Sequence, residues 1–110
     1  MYPELVFLNE DQFPLILIGD KRQVTLKNAP VKPGDLLNTC FGLAEVTDLI
    51  KYQGNCTIRN LRQETQETWA YNEGFSDFEQ ADLWFRMQYG EKWAESEMIT
   101  VKFKGDWVNE

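Results

Sequence analysis

The sequence predicts a single α+β domain over residues 1–110, a small β-barrel with flanking helices. Three observations carry that expectation. Polar and apolar residues alternate from Arg22 to Lys27 and again from Met98 to Phe103, which is the period of a half-buried strand. The turn signal Pro33-Gly34-Asp35 precedes an apolar stretch parted by Gly42, the pattern of two paired strands. Two segments with helical spacing close at Gly74 and Gly90. With 110 residues, 43% of them hydrophobic and 14% aromatic, one core forms without disulfide or metal staples, whereas two domains would each be too small.

Taken in order, Leu5-Val6-Phe7-Leu8 suits a first strand or lead-in. Asn9-Glu10-Asp11-Gln12 opens a helix, and Pro14 is tolerated in its first turn, where the missing N–H costs nothing. Gly19 is a natural stop, so this helix is expected to be short and mostly buried. In the strand that follows, Gln23, Thr25 and Lys27 share one face and Val24 and Leu26 the other. Leu36–Phe41 and Leu43–Tyr52 are expected to pair antiparallel. Residues 61–73 carry Leu61, Thr65, Thr68, Trp69 and Asn72 at helical spacing. Ser76-Asp77-Phe78-Glu79 reads as a capping box with the serine as N-cap. Phe78, Ala81, Phe85 and Tyr89 then form the apolar face of a second long helix, broadened by Leu83, Trp84 and Met87. Met98–Phe103 supplies the closing strand.

The net charge of -7 argues against a protein that grips long nucleic acid chiefly by neutralising phosphates. Its distribution is uneven. Residues 1–62 hold seven Lys/Arg against seven Asp/Glu, and residues 63–110 hold four against eleven, so a neutral-to-basic face coexists with an acidic helical one. The absence of histidine removes every Ser-His or Cys-His triad and leaves lysine, carboxylates, tyrosine or cysteine for any catalysis. With no histidine, Cys40 and Cys56 do not make a usual structural zinc site; a disulfide between them stays open, although nothing else points to secretion. No apolar stretch approaches the length of a membrane span. The expectation is a soluble cytoplasmic protein that uses no metal or other cofactor and no membrane.

Gly19, Lys21, Thr25 and Lys27, the Pro33-Gly34-Asp35 turn, Glu73-Gly74-Phe75-Ser76 and the strand Ile99-Thr100-Val101-Lys102-Phe103 together resemble the ASCH family of small PUA-like proteins. The likeness spans roughly residues 12–104 and rests on several short motifs in the right order. It implies a PUA-like (ASCH) β-barrel with a cleft beside the first strand, and RNA or a nucleoside-like small molecule as partner. Small bacterial members of similar size and layout are amidohydrolases of N4-acetylcytidine, and the resemblance implies Lys21, Thr25 and Glu73 as the catalytic residues. The spacing departs from the family pattern, in which threonine follows lysine by three residues and an arginine, here replaced by Lys27, by five. Here the separations from Lys21 are four and six. Counting from Arg22 restores both, but an arginine stays protonated and is no general base. A β-bulge near Arg22–Val24 would absorb the extra residue and return Lys21 to Thr25, and the sequence leaves both registers open.

If Lys21 holds the family position, a neutral Lys21 would act as base for the Thr25 hydroxyl, its pKa lowered by burial or by Arg22 and Lys27. Glu73 would orient the amine or handle the leaving group's proton. Arg22, Gln23, Lys27, Tyr52 and Phe75 complete the expected ligand-binding set, with Trp69 and Tyr71 as further aromatic platforms on which a base stacks. Each residue also has a plain structural role: Lys21 as a charge at a helix C-terminus, Thr25 as a strand residue, the aromatics as core. A second functional class therefore stands beside the first, a non-catalytic interaction or regulatory module whose acidic helical face binds a basic protein.

Overall fold

A computed structural model describes residues 2–107. Its helices and strands follow as α1 (Phe13–Ile18), β1 (Gln23–Leu26), β2 (Leu36–Thr39), β3 (Gly42–Tyr52), α2 (Gln63–Asn72), α3 (Phe78–Tyr89) and β4 (Met98–Gly105). Short 3-10 turns precede α1, fill the β3–α2 connection and lead into β4. No helix among the described residues is long and apolar enough to cross a membrane.

The strands form one antiparallel sheet in the order β1-β4-β3-β2. This corrects the expectation of a closed barrel. Among the described residues β1 pairs with β4 alone, and the outer edge of β2 is taken by the N-terminal segment, where Asn38 N donates to Pro3 O and Leu5 N to Asn38 O, each at 2.8 Å. Closure requires a strand that joins the two edges. Here one edge is occupied by an extended lead-in, and the start of β1 is tied to a helix, Arg22 N donating to Asn72 O at 3.2 Å.

β4 is also more central than the alternation of Met98–Phe103 implies. Val101 and Phe103 face one apolar cluster with Leu5, Phe7, Ile16, Leu37 and Val46, while Met98 faces a second with Trp69, Phe85 and Trp93. Both faces of the strand are covered, so its polar position Thr100 is fully buried and must find a partner.

α1 begins as expected. Asn9 caps the preceding turn by accepting from Asp11 N at 3.2 Å, Pro14 lies in the first turn, and Gly19 at φ 86° ends the helix. It is short, but only Ile16 is buried; Leu17 and Ile18 are exposed, because a helix of six residues presents little more than a single turn to the core. The α3 cap falls one residue beyond the expected serine. Asp77 is the N-cap and accepts from Gln80 N at 2.9 Å, a carboxylate being as good a cap as a hydroxyl and better placed against the helix dipole. On α3, Ala81 and Phe85 are buried as expected, whereas Leu83 and Met87 are exposed. The helix spends part of its inner face on Asp82, which is buried and accepts from Trp93 Nε1 at 2.9 Å and Arg86 Nε at 3.1 Å.

Trp93 anchors the second cluster. It has no exposed surface, stacks on Phe85 with ring centroids 4.6 Å apart and on Trp69 at 5.6 Å. Trp93→Phe keeps an aromatic plate in place but strips Asp82 of a buried donor, and a loss of about 1–3 kcal/mol in urea denaturation is the expected result.

Cys40 and Cys56 are both free and exposed, and among the described residues no group of three or more His, Cys, Asp or Glu side chains is arranged to hold a metal ion.

Candidate functional site

Two helix ends build the site. At the end of α1, Gly19 adopts a left-handed conformation, Gly19 N donates to Ile16 O at 3.2 Å and Asp20 N to Leu15 O at 2.9 Å. That is a Schellman motif, and it turns the chain sharply into β1. α2 ends the same way: Gly74 has φ 98°, its N–H reaches Tyr71 O at 3.0 Å and Phe75 N reaches Ala70 O at 2.9 Å. The Glu-Gly-Phe run thus supplies the C-cap residue, the left-handed glycine and the apolar residue that folds back, which fixes Glu73 facing β1.

β1 presents Gln23 and Thr25 to this helix end. With Lys21 before them, the three residues follow the two-residue period of an extended chain. Lys21 is 7% exposed, Thr25 2% and Glu73 1%, while Arg22 is exposed. Lys21 therefore occupies the buried position and Arg22 points away, its Nε donating to Gly19 O at 3.0 Å. The pairing of β1 with β4 runs without interruption from Gln23↔Lys102 to Leu26↔Ile99. No bulge is needed, because a separation of four residues is two strand periods and already sets Lys21 and Thr25 on one side.

Glu73 is the hub. Its Oε2 accepts from Gln23 Nε2 at 2.7 Å and from Thr25 Oγ1 at 2.9 Å, and its Oε1 accepts from Thr25 N at 3.1 Å. Lys21 Nζ lies 3.9 Å from Oε1 and donates to the Glu73 backbone carbonyl, one of the helix-terminal carbonyls without an intrahelical partner. Thr25 Oγ1 also lies 2.7 Å from Thr100 Oγ1 and accepts from Trp69 Nε1 at 3.1 Å. With its one proton given to Glu73, the Thr25 hydroxyl accepts from both others and is saturated. The buried Thr100 thus has its partner.

Burial lowers the pKa of Lys21, the Glu73 carboxylate opposing the shift. Burial likewise raises Glu73, opposed by Lys21 and by the hydrogen bonds from Gln23 and Thr25. The two groups are driven toward each other, which makes proton transfer between them inexpensive. Every side-chain hydrogen bond made by Glu73 is one it accepts, a pattern that suits an ionised carboxylate.

The cluster opens on a narrow cleft, its enclosed space ≈ 20 Å³, lined by Lys21, Thr25 and Glu73 together with Gln12, Phe75 and Tyr89. That is about the room one water molecule needs. Of the expected ligand-binding residues, Phe75 lines the cleft, and Gln23 stands behind Glu73 as its hydrogen-bond donor. Lys27 is exposed at the rim with Nζ 5.9 Å from the centre of the Tyr89 ring. Arg22 lies outside the cluster. Tyr52 is buried in the second core cluster, where burial raises its pKa and a hydrogen bond with Thr100 opposes the rise. Trp69 is buried and Tyr71 exposed, and neither lines the cleft.

Gln12, Trp84 and Tyr89 line it as well and were not among the residues expected from sequence. Trp84 and Tyr89 come from α3, whose aromatic content exceeds what one buried stripe requires, a signal that was present in the sequence. Gln12 carried no such signal, sitting in a polar run that reads as a helix start.

No protein-family model and no curated protein matches the sequence. Solved structures do match the fold. The crystal structure of hypothetical protein PH0355 superposes with a TM-score of 0.69 at 21% identity, covering 96% of this chain and 99% of that one. The crystal structure of protein EF3133 from Enterococcus faecalis V583, which bears the family label DUF984, gives 0.68 at 12% identity over 96% and 81% of the two chains. The solution structure of protein PF0455 from Pyrococcus furiosus gives 0.57 at 17% identity over 96% and 98%. At these identities the likeness is one of fold.

Proposed function

We propose that the chain is an ASCH-type, PUA-like cytoplasmic module that binds a modified nucleoside, free or within RNA, in the cleft beside β1 and hydrolyses an N4-acylated cytidine amide there. The reading rests on one observation. A lysine and a threonine from the first strand and its lead-in and a glutamate from a distant helix end share one buried hydrogen-bonded cluster on a cleft, and perturbed titratable groups gathered in a concave site are candidates for a catalytic centre.

The geometry supports roles different from those the resemblance alone suggests. Glu73 Oε2, in contact with the Thr25 hydroxyl at 2.9 Å, is the general base. Thr25 Oγ1 attacks the acyl carbonyl carbon as its proton passes to Glu73, exchanging the hydrogen bond from Thr100 or Trp69 for the new C–O bond. Lys21, made more acidic by burial, then protonates the exocyclic nitrogen as the C–N bond breaks and cytidine leaves. Water then attacks the threonyl ester, giving a proton to the neutral Lys21 while Glu73 returns its own to Thr25 Oγ1, which releases the carboxylic acid and restores all three groups. Phe75 and Tyr89, on the cleft walls, offer ring faces to the base.

The test is turnover of N4-acetylcytidine by wild type and by Thr25→Val, Lys21→Ala and Glu73→Gln. Each variant is expected to lose about 10²–10⁴-fold in kcat/KM, with Thr25→Ser retaining part of the activity. Absence of turnover in folded wild type, or full activity in Thr25→Val, overturns the hydrolase.

A further inference from the structure

Gln12 is out of keeping with the rest of the interior. It is 5% exposed, and its Nε2 is, among the described residues, the one buried side-chain nitrogen or oxygen atom without a hydrogen-bond partner. Buried polar groups in native chains are paired almost without exception, so an orphan needs a reason. The backbone leaves it little freedom to escape. Gln12 ends the 3-10 turn Glu10–Gln12, with its N–H on Asn9 O at 3.1 Å, and passes directly into α1. Its carboxamide is seated against Gly74, where a Cβ would stand 2.8 Å from Nε2 and 2.9 Å from Cδ. The absence of a side chain beside Glu73 is therefore what admits the amide to this place. Gln12 is also among the residues that line the cleft with Lys21, Thr25 and Glu73.

Resting on the nucleoside reading above, we infer that Gln12 is a specificity residue, its Nε2 donating to a carbonyl oxygen of a planar heterocycle held in the cleft. The chemistry of the surroundings selects such a ligand. Lys21 and Glu73 balance each other's charge, and Phe75, Trp84 and Tyr89 contribute aromatic surface, so a neutral, flat molecule with hydrogen-bond acceptors on its edge fits, and the pyrimidine carbonyl is the acceptor within that class. A site that keeps a buried donor for one ligand atom discriminates strongly, because a molecule lacking that atom leaves the donor unpaired.

The experiment pairs calorimetric binding with thermal melting, using cytidine and N4-acetylcytidine as probes and wild type, Gln12→Met and Gln12→Glu as proteins. Methionine nearly matches the volume and removes the donor. The expected result is nucleoside binding about 10–100-fold weaker in Gln12→Met together with a melting temperature of the unliganded protein equal to wild type or higher by about 4 °C, since an unsatisfied amide has been removed. Gln12→Glu places an acceptor against the ligand's acceptor and is expected to bind more weakly still. Unchanged affinity in Gln12→Met overturns the role of Gln12 alone, and a lowered melting temperature in that variant overturns it too, by showing that the amide packs the fold. Wild type that binds neither nucleoside overturns the nucleoside reading and this inference with it, and the two failures are told apart by which protein shows them.

Discussion

Glu73→Ala is expected to lower the stability of the folded chain by about 3–5 kcal/mol, the scale on which breaking a buried ion pair acts. The substitution removes the acceptor for Gln23 Nε2, Thr25 N and Thr25 Oγ1, leaving buried donors without it. It also leaves Lys21 without its counter-charge, although the backbone carbonyl at position 73 still accepts from its Nζ. A domain of this size holds a reserve of about 5–15 kcal/mol, so the loss is a large share of it toward the lower end of that range. Urea denaturation of Glu73→Ala beside Glu73→Gln checks the argument. The glutamine preserves shape and one acceptor oxygen and is expected to recover more than half of the loss while remaining inactive. A loss under about 1 kcal/mol for Glu73→Ala, the range of an exposed pair, overturns the account of Glu73 as the hub of a buried network.

The residues that make this hub show how much of the molecule was legible in the sequence. Glycine stops, the Pro33-Gly34-Asp35 turn and the alternation in β1 located nearly every helix and strand, because each is a local signal with a local cause. What escaped was decided between elements. The alternation of β4 reads as half-buried, but two separate clusters cover its two faces, and no local pattern states how many neighbours a strand has. Closure of the sheet was lost for the same reason: the lead-in around Pro3–Leu5 takes the β2 edge, a choice made by the whole chain. The displaced cap at Asp77 is smaller, two adjacent residues able to cap and the packing of α3 choosing between them.

The choice between Lys21 and Arg22 is the more instructive case. Compared with a family spacing, Lys21 stands one residue too far from Thr25, and a bulge was the natural remedy. Strand geometry gives a simpler answer, since residues separated by four lie on the same side of an extended chain while residues separated by three lie on opposite sides. Arg22 at separation three from Thr25 is accordingly exposed, and Lys21 at four is buried. The information was present in the sequence once the stretch before β1 is counted as extended. The orphan amide of Gln12 was not, because its burial depends on the space left by Gly74 across the cleft.

Lys21→Met carries the second large effect, and its sign is set by pH. In the wild type the two buried groups pull in opposite directions. Burial lowers Lys21 from its ordinary value of 10.5, so its contribution to stability is complete above that value and is lost as pH falls through the folded pKa. Burial raises Glu73 from 4.5, so its contribution is complete below that value and is lost as pH rises through the folded pKa. Between them the pair shares one proton, and the opposing slopes largely cancel. Removing the lysine takes away the partner that holds Glu73 down, and the carboxyl pKa rises further. The variant then loses stability as pH rises, with a slope approaching about 1.4 kcal/mol per pH unit while Glu73 is neutral folded and charged unfolded. Urea denaturation of both proteins from pH 5 to pH 8 is expected to give curves that converge at the acid end and separate by about 3–5 kcal/mol at the alkaline end. Curves that run parallel across that window overturn the assignment of a buried, proton-sharing pair. A gap that widens toward acid instead assigns the dominant burial cost to Lys21.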